Sequence, residues 1–321
     1  MTKFLINFRY AFRWHKPILT LRLVWRFIQI FVFKQQPLRY VDFAIGYKCN
    51  LKCEHCFAAD KADPKRGRMP PYYFAKVVKE AMRLGAVNFS FQGGEPLLYS
   101  DLKDYIKAAQ PYKNLISVTT NGTLLTLEKA RELKSWGVDI VTISYDDMRD
   151  SAIFWEAFHN ARKAGLKITV GIVATKTMIG RLDHIVEVAE KYRVIQMLIF
   201  PVPMGRWDSQ DVMLSAEDIA KIRTYEKKYP YIRTDFQANY VHEGCGAGKE
   251  ILFINPYGDV YPCPFINIPF GNLRYQSVKK IRDKMLCHKI FQGYSQKCLA
   301  GEGKGLWDEF SSVARPASSA K

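Results

Sequence analysis

Between Tyr40 and Phe200 the sequence alternates short apolar runs with longer amphipathic stretches, a pattern that admits few folds. YVDFAIG, VNFSF, LISVTT, DIVTIS, KITVGIVAT and VIQMLIF read as six strands. Four of the intervening stretches read as helices: PPYYFAKVVKEAMRLG, with proline at its start and Gly85 at its end, then TLEKARELKSWG, SAIFWEAFHNARKAG and RLDHIVEVAEKY. A fifth helix is expected to be capped by Ser100 and to run through Tyr112. Successive strand-helix units with right-handed crossovers give a parallel sheet curled into a partial (β/α)6 barrel, with ligands at the carboxyl ends of the strands. Thr120-Asn121-Gly122, Ser144-Tyr145-Asp146 and Pro201 to Gly205 all fall at that edge. An Asn-Gly pair most often makes a hairpin, but here it joins a strand to a helix.

The first strand leads into YKCNLKCEHCF, Tyr47 to Phe57, which places Cys49, Cys53 and Cys56 in the spacing C-x3-C-x2-C. Three thiolates in one loop make a metal site, yet a closed iron-sulfur cube takes four protein ligands. The open corner suits S-adenosylmethionine, whose amino and carboxylate groups can chelate an iron that supplies one electron. The rival reading is a zinc knuckle completed by a residue such as His55, which leaves the segment FSFQGGEPLLY without a role.

With Gly93, Gly94, Glu95 and Pro96 matching a GGEP motif just past the second strand, the chain resembles the radical S-adenosylmethionine superfamily. The resemblance implies that Cys49, Cys53 and Cys56 hold a 4Fe-4S cluster and that His55 takes a usually aromatic position near adenine, with Phe57 closing the motif among the cofactor-binding residues. It also implies that Gly93, Gly94 and Glu95 receive the methionyl amino group. Thr120 and Ser144 match positions that contact the cosubstrate, and Asn121 and Asp146 adjoin them in the same group.

After Gly205 the repeat stops, and SAEDIAKIRTYEKKY forms a helix with a capping box from Ser215 to Asp218. CGAGKEILFINPYGDVYPC then reads as a hairpin flanked by Cys245 and Cys263, followed by a turn, an amphipathic helix, Cys287 and Cys298. Four thiolates suffice for a second 4Fe-4S cluster, although zinc accepts the same set. The segment is similar to the auxiliary-cluster domains SPASM and Twitch, with Gly258 and Cys263 matching G-x4-C and Gly271-Asn272 the following turn. The family often has a cysteine where this chain has Gly301, and usually none at Cys287, so the fourth ligand stays open.

The 321 residues carry a net charge of +17, and residues 1 to 40 hold eight basic residues and no acidic one. ILTLRLVWRFIQIFVF, Ile18 to Phe33, is apolar apart from Arg22, Arg26 and Gln29, which share a narrow stripe at helical spacing. It is too short and too polar for a convincing span, so the expectation is an interfacial helix on an anionic membrane, against a helix packed on the barrel or a transit peptide. The resulting division is a basic amphipathic segment 1–39, a barrel 40–232, an auxiliary-cluster domain 233–310 and a disordered tail 311–321. Iron-sulfur chemistry belongs in a reducing compartment, which places the chain in the cytoplasm, peripheral on the inner membrane surface. No nucleic-acid module is recognisable, so no nucleic-acid partner is expected.

The expected activity is reductive cleavage of S-adenosylmethionine to a 5'-deoxyadenosyl radical that takes a hydrogen atom from an unactivated C–H bond, with a flavodoxin or ferredoxin as electron donor. The membrane-facing N-terminus points to a lipid or isoprenoid substrate. Maturation of a ribosomal peptide or oxidation of a small metabolite with the auxiliary cluster is the alternative, and a zinc-binding membrane scaffold the non-enzymatic one. No residue is nominated for proton transfer.

Overall fold

The computed structural model describes residues 3–146, 151–208, 210–235 and 244–302. Two helices, α1 (Lys3–Ala11) and α2 (Pro17–Phe31), precede the alternating region. That region runs β1 (Tyr40–Gly46), α3 (Pro71–Leu84), β2 (Asn88–Gly93), α4 (Leu102–Ala108), β3 (Leu115–Thr120), α5 (Leu127–Trp136) and β4 (Ile140–Tyr145). It continues through α6 (Ser151–Lys163), β5 (Lys167–Val173), the short α7 (Lys176–Gly180), α8 (Leu182–Tyr192) and β6 (Ile195–Ile199). Beyond it lie α9 (Ala216–Lys228), β7 (Ile232–Thr234), β8 (Ile251–Ile254), β9 (Asp259–Tyr261), β10 (Gly271–Asn272) and α10 (Val278–Leu286). The expected tail, 311–321, lies outside the described residues.

The six expected strands form, each within a residue or two of its sequence bounds, and pair in parallel in chain order. Two further parallel neighbours extend them. β7, only three residues long and without a readable pattern, pairs with β6; β8 pairs with β1 through Tyr40↔Ile251 to Phe43↔Ile254. The hairpin expected between the later cysteines is therefore continuous with the barrel sheet.

Alternation within each strand divides the sheet into two faces. Val41, Phe43 and Ile45, Phe89 and Phe91, Ile116 and Val118, and Val141 and Ile143 are buried among the helices as one core. The intervening positions, among them Asp42, Gln92, Thr119, Thr142, Ser144 and Thr169, line the lumen. Helix ends follow their local chemistry. Thr126 accepts from the Lys129 amide at the start of α5, Gly137 closes it at φ 98°, and Ser215 and Asp218 form the expected capping box on α9. Ser100 does not cap α4. The cap position falls to Asp101 without a side-chain bond, and the helix stops at Ala108 because Gln110 turns to φ 52° ahead of Pro111.

The N-terminal segment departs most from expectation. It folds as two helices laid across the amino ends of the strands, the end opposite the cysteine loop. Tyr10 donates to the Ile168 carbonyl at the start of β5 and accepts from the Ile195 amide at the start of β6. Arg13 and Lys16 both bind the buried Asp139, which leads into β4. Arg22 reaches the carbonyls of Lys113 and Ala86, and Arg26 that of Met82. The polar stripe of α2 thus faces the barrel, where it satisfies carbonyls at strand and helix ends, and the apolar face points outward. Leu21, Trp25 and Phe31 are 70%, 48% and 56% exposed. Among the described residues, no helix is long and apolar enough to cross a membrane.

Candidate active site between two cysteine groups

The Cys49 loop leaves β1 and is held from three sides. Gly94 and Glu95 donate their amides to the carbonyls of Gly46 and Lys48, so the GGEP turn runs along the chain entering the loop. The approach requires glycine, because a Cβ on Gly94 would stand 2.1 Å from the Lys48 carbonyl oxygen. The Tyr99 hydroxyl accepts from the Lys48 amide, and the Arg206 amide binds the Cys56 carbonyl from the loop after β6.

Glu95 is fully buried, and its carboxylate accepts from Thr120 Oγ1, the Asn121 amide and the Leu97 amide at 2.7, 2.7 and 3.1 Å. It ties the loops after β2 and β3 together, with chain donors on both of its oxygens. Asn121 Nδ2 approaches Cys49 Sγ at 3.9 Å and donates to Asn50 Oδ1, while Asn50 Nδ2 binds Thr123. His55 faces Asp146 at 3.6 Å across the lumen mouth, with the Trp207 ring 5.8 Å from its own. Ser144 lines the lumen below them. Sequence reasoning missed Asn50, Tyr99, Thr123 and Trp207; a polar or aromatic residue in a loop carries no signal of which thiol or amide it will meet.

Cys245, Cys263 and Cys298 come together on the other side of the same lumen. Burial pushes all three thiols up, and neighbouring negative charge adds to the rise. Buried thiols crowded in this way ionise only beside a compensating cation, which a metal cluster supplies. The fit favours a cluster over one ion. Sulfurs sharing a tetrahedral zinc stand about 3.8 Å apart, yet in neither cysteine trio do the three sulfurs lie within 4.8 Å of one another. Among the described residues only Cys53, His55 and Asp146 bring three donor atoms that close, and they belong to the first loop. Cys287 does not join the second trio. It caps the exposed end of α10 and is absent from the lumen wall, because the helix packs on α3.

The two groups are linked through Phe57, which the sequence motif includes, and through Phe265 and Lys61, which the sequence did not single out. The Phe57 and Phe265 rings meet edge-on at 5.3 Å, and Lys61 lies over Phe57 at 5.6 Å. Burial lowers the Lys61 ammonium to about 8, an effect opposed by thiolate character at Cys56 on one side and Cys263 on the other. A cavity of about 290 Å3 fills the barrel, bordered by Cys245, Cys263, Cys298 and Phe265. Its wall carries Asp42, whose carboxyl is raised to about 7 by burial, against the hydrogen bonds of Ser90, Tyr40 and Gln92. Higher strands add Thr119 and the hydroxyl pair Thr142 and Thr169, 2.7 Å apart.

Comparison with known proteins agrees with this arrangement. Residues 43–191 match the Radical SAM superfamily and residues 245–300 the SPASM iron-sulfur cluster-binding domain. The PqqA peptide cyclase of Streptomyces rochei is 26% identical over 68% of this chain and 67% of its own length. A probable GTP 3',8-cyclase of Methanococcus aeolicus is 27% identical over 71% and 80%. The crystal structure of Streptococcus suis SuiB bound to precursor peptide SuiA shares the fold, with a TM-score of 0.62 at 17% identity over 88% of this chain and 72% of that one.

Proposed function

The chain belongs to the radical SAM superfamily and carries a SPASM domain, and from that premise we propose that it matures a peptide by removing a hydrogen atom from one residue inserted into the lumen. The family's 4Fe-4S clusters and S-adenosylmethionine, when bound, supply the abstracting 5'-deoxyadenosyl group and an electron acceptor. Cys49, Cys53 and Cys56 would hold the first cluster; Cys245, Cys263 and Cys298 would hold the second. The observation that carries the peptide reading is the lumen wall. Hydrogen-bonding groups converge on it from five consecutive strands: Asp42, Gln92, Thr119, Thr142 with Ser144, and Thr169.

Such groups can orient an amide or a polar side chain through their lone pairs and donors, an anchorage that an acyl or isoprenoid chain cannot use. The volume lies near the roughly 300 Å3 lower bound of small-molecule pockets, room for one residue rather than a folded segment. The Phe57 and Phe265 rings, close to Cys56 and Cys263 in the chain, pack edge-on and bring the loops of the two cysteine groups into contact. The position of α1 and α2 removes the argument for a lipid substrate, because they lie at the closed end of the barrel. The relative named as a peptide cyclase supports the reading independently.

The test is to supply the anaerobically reconstituted, reduced enzyme and S-adenosylmethionine with peptide, nucleotide or lipid fractions of a cell extract and to measure 5'-deoxyadenosine. Formation dependent on the peptide fraction, with a peptide mass change, supports the proposal. Dependence on the lipid or nucleotide fraction alone refutes it.

A further inference from the structure

We propose that Asp235 is the fourth protein ligand of the cluster held by Cys245, Cys263 and Cys298. A closed four-iron cube needs one more donor than this trio supplies. Neither cysteine position suggested by the sequence pattern provides it. Cys287 lies outside the lumen wall, on the exposed end of α10. At Gly301 a side chain has no room, since its Cβ would stand 2.6 Å from that of Phe200, and the Gly301 amide is already turned onto Cys298 Sγ at 3.3 Å.

Asp235 approaches the same place from β7. The pairing of Thr234 with Leu198 sets Asp235 beside the end of β6, where Phe200 abuts the turn from Cys298 to Gly301. It lines the lumen with all three cysteines, and its Oδ1 is sealed from solvent. Its negative charge acts on every one of the three thiols, and on Cys298 more strongly than either neighbouring cysteine does. A carboxylate beside three thiolates can share the cation that they bind, and carboxylate oxygen is an accepted donor to iron.

The test isolates the second cluster by replacing Cys49, Cys53 and Cys56 together with Ala, then follows iron, sulfide and electron paramagnetic resonance after reconstitution. In that background Asp235→Ala is expected to yield a three-iron cluster or an empty site. Asp235→Cys should keep four irons with a shifted reduction potential, and Cys287→Ser should change nothing. Aspartate labelled at its carboxyl carbon should give a hyperfine coupling on the cluster signal that disappears in Asp235→Cys. Unchanged iron content and spectrum in Asp235→Ala overturn the proposal, as does cluster loss in Cys287→Ser. If Asp235→Ala does not fold, the near-isosteric Asp235→Asn with the labelling result decides, absence of the coupling being fatal.

A separate observation carries a second inference, that the outer face of α1 and α2 docks on an anionic lipid bilayer and holds the lumen mouth away from it. Of the seventeen large apolar side chains exposed among the described residues, thirteen lie between Leu5 and Phe33. An apolar patch of this extent on a soluble surface marks a covered face. The occupant follows from charge. Arg9 and Lys34 stand exposed on this segment and no acidic residue occurs before Asp42, so two copies meeting face to face would oppose like charges, whereas anionic headgroups would neutralise them. Trp14 and Trp25 are suited to the headgroup boundary.

Co-sedimentation with phosphatidylglycerol vesicles should be strong, should fall with salt, and should drop on the order of a thousandfold when Leu21, Trp25 and Phe31 are all changed to Glu, each losing its burial in lipid. Brominated acyl chains should quench a variant whose only tryptophan is Trp25 and spare one whose only tryptophan is Trp207. No pelleting, undiminished pelleting of the triple variant, quenching of Trp207, or a stable dimer dispersed by the same three substitutions would overturn this inference.

Discussion

Replacing Asp42 by Asn should make the protein's stability less sensitive to pH, and the size of the effect can be worked from its site. Asp42 is 8% exposed at the centre of the lumen wall, with the Tyr40 hydroxyl 3.1 Å from Oδ1. Burial raises its carboxyl from 3.8 to about 7. Between those values the unfolded chain has lost the proton that the folded chain keeps, so stability falls as pH rises. At 1.36 kcal/mol per pKa unit the loss reaches about 4 kcal/mol once pH exceeds 7, as an order of magnitude. Asn keeps the shape and has no proton to lose. Urea denaturation of both proteins in parallel should therefore show Asp42→Asn close to wild type near pH 4 and more stable by several kcal/mol near pH 8.5. A stability difference that stays constant across this range would refute the reasoning, because it would place the folded and unfolded pKa values together.

Two other substitutions probe the ends of the barrel. Asp139→Ala leaves Arg13 and Lys16 buried without their carboxylate and should cost about 3–5 kcal/mol, measured by urea denaturation together with faster proteolysis between α1 and α2. Gly94→Ala drives a methyl group against the Lys48 carbonyl and should displace the Cys49 loop; iron incorporation at the first site should fall, while Gly67→Ala, with no atom within 4 Å of the added methyl, should leave it unchanged.

The strands, their order and the loops that carry chemistry were legible in the sequence because each is encoded locally. Alternation in YVDFAIG and LISVTT, the proline and glycine bounding α3, and the capping box at Ser215 act within a few residues, and the C-x3-C-x2-C spacing places three thiols in one loop whatever surrounds it. The Gly93-Gly94-Glu95 turn was legible as a motif, but its use of Glu95 to bind the loop after β3 was not. Tertiary structure decided what distant segments do to one another. Periodicity groups Arg22, Arg26 and Gln29 on one side of α2 but cannot say which way that side faces; the carbonyls of Lys113, Ala86 and Met82, far along the chain, turn it inward. Counting cysteines offered Cys287 as a ligand and overlooked Asp235, since three-residue β7 has no pattern to announce it and only its pairing with β6 carries the carboxylate to the thiols. Lys61 likewise gains its place between Cys56 and Cys263 only when β8 pairs with β1. Local propensity depends on neighbours along the chain, whereas burial and charge pairing depend on which surfaces the completed sheet brings into contact.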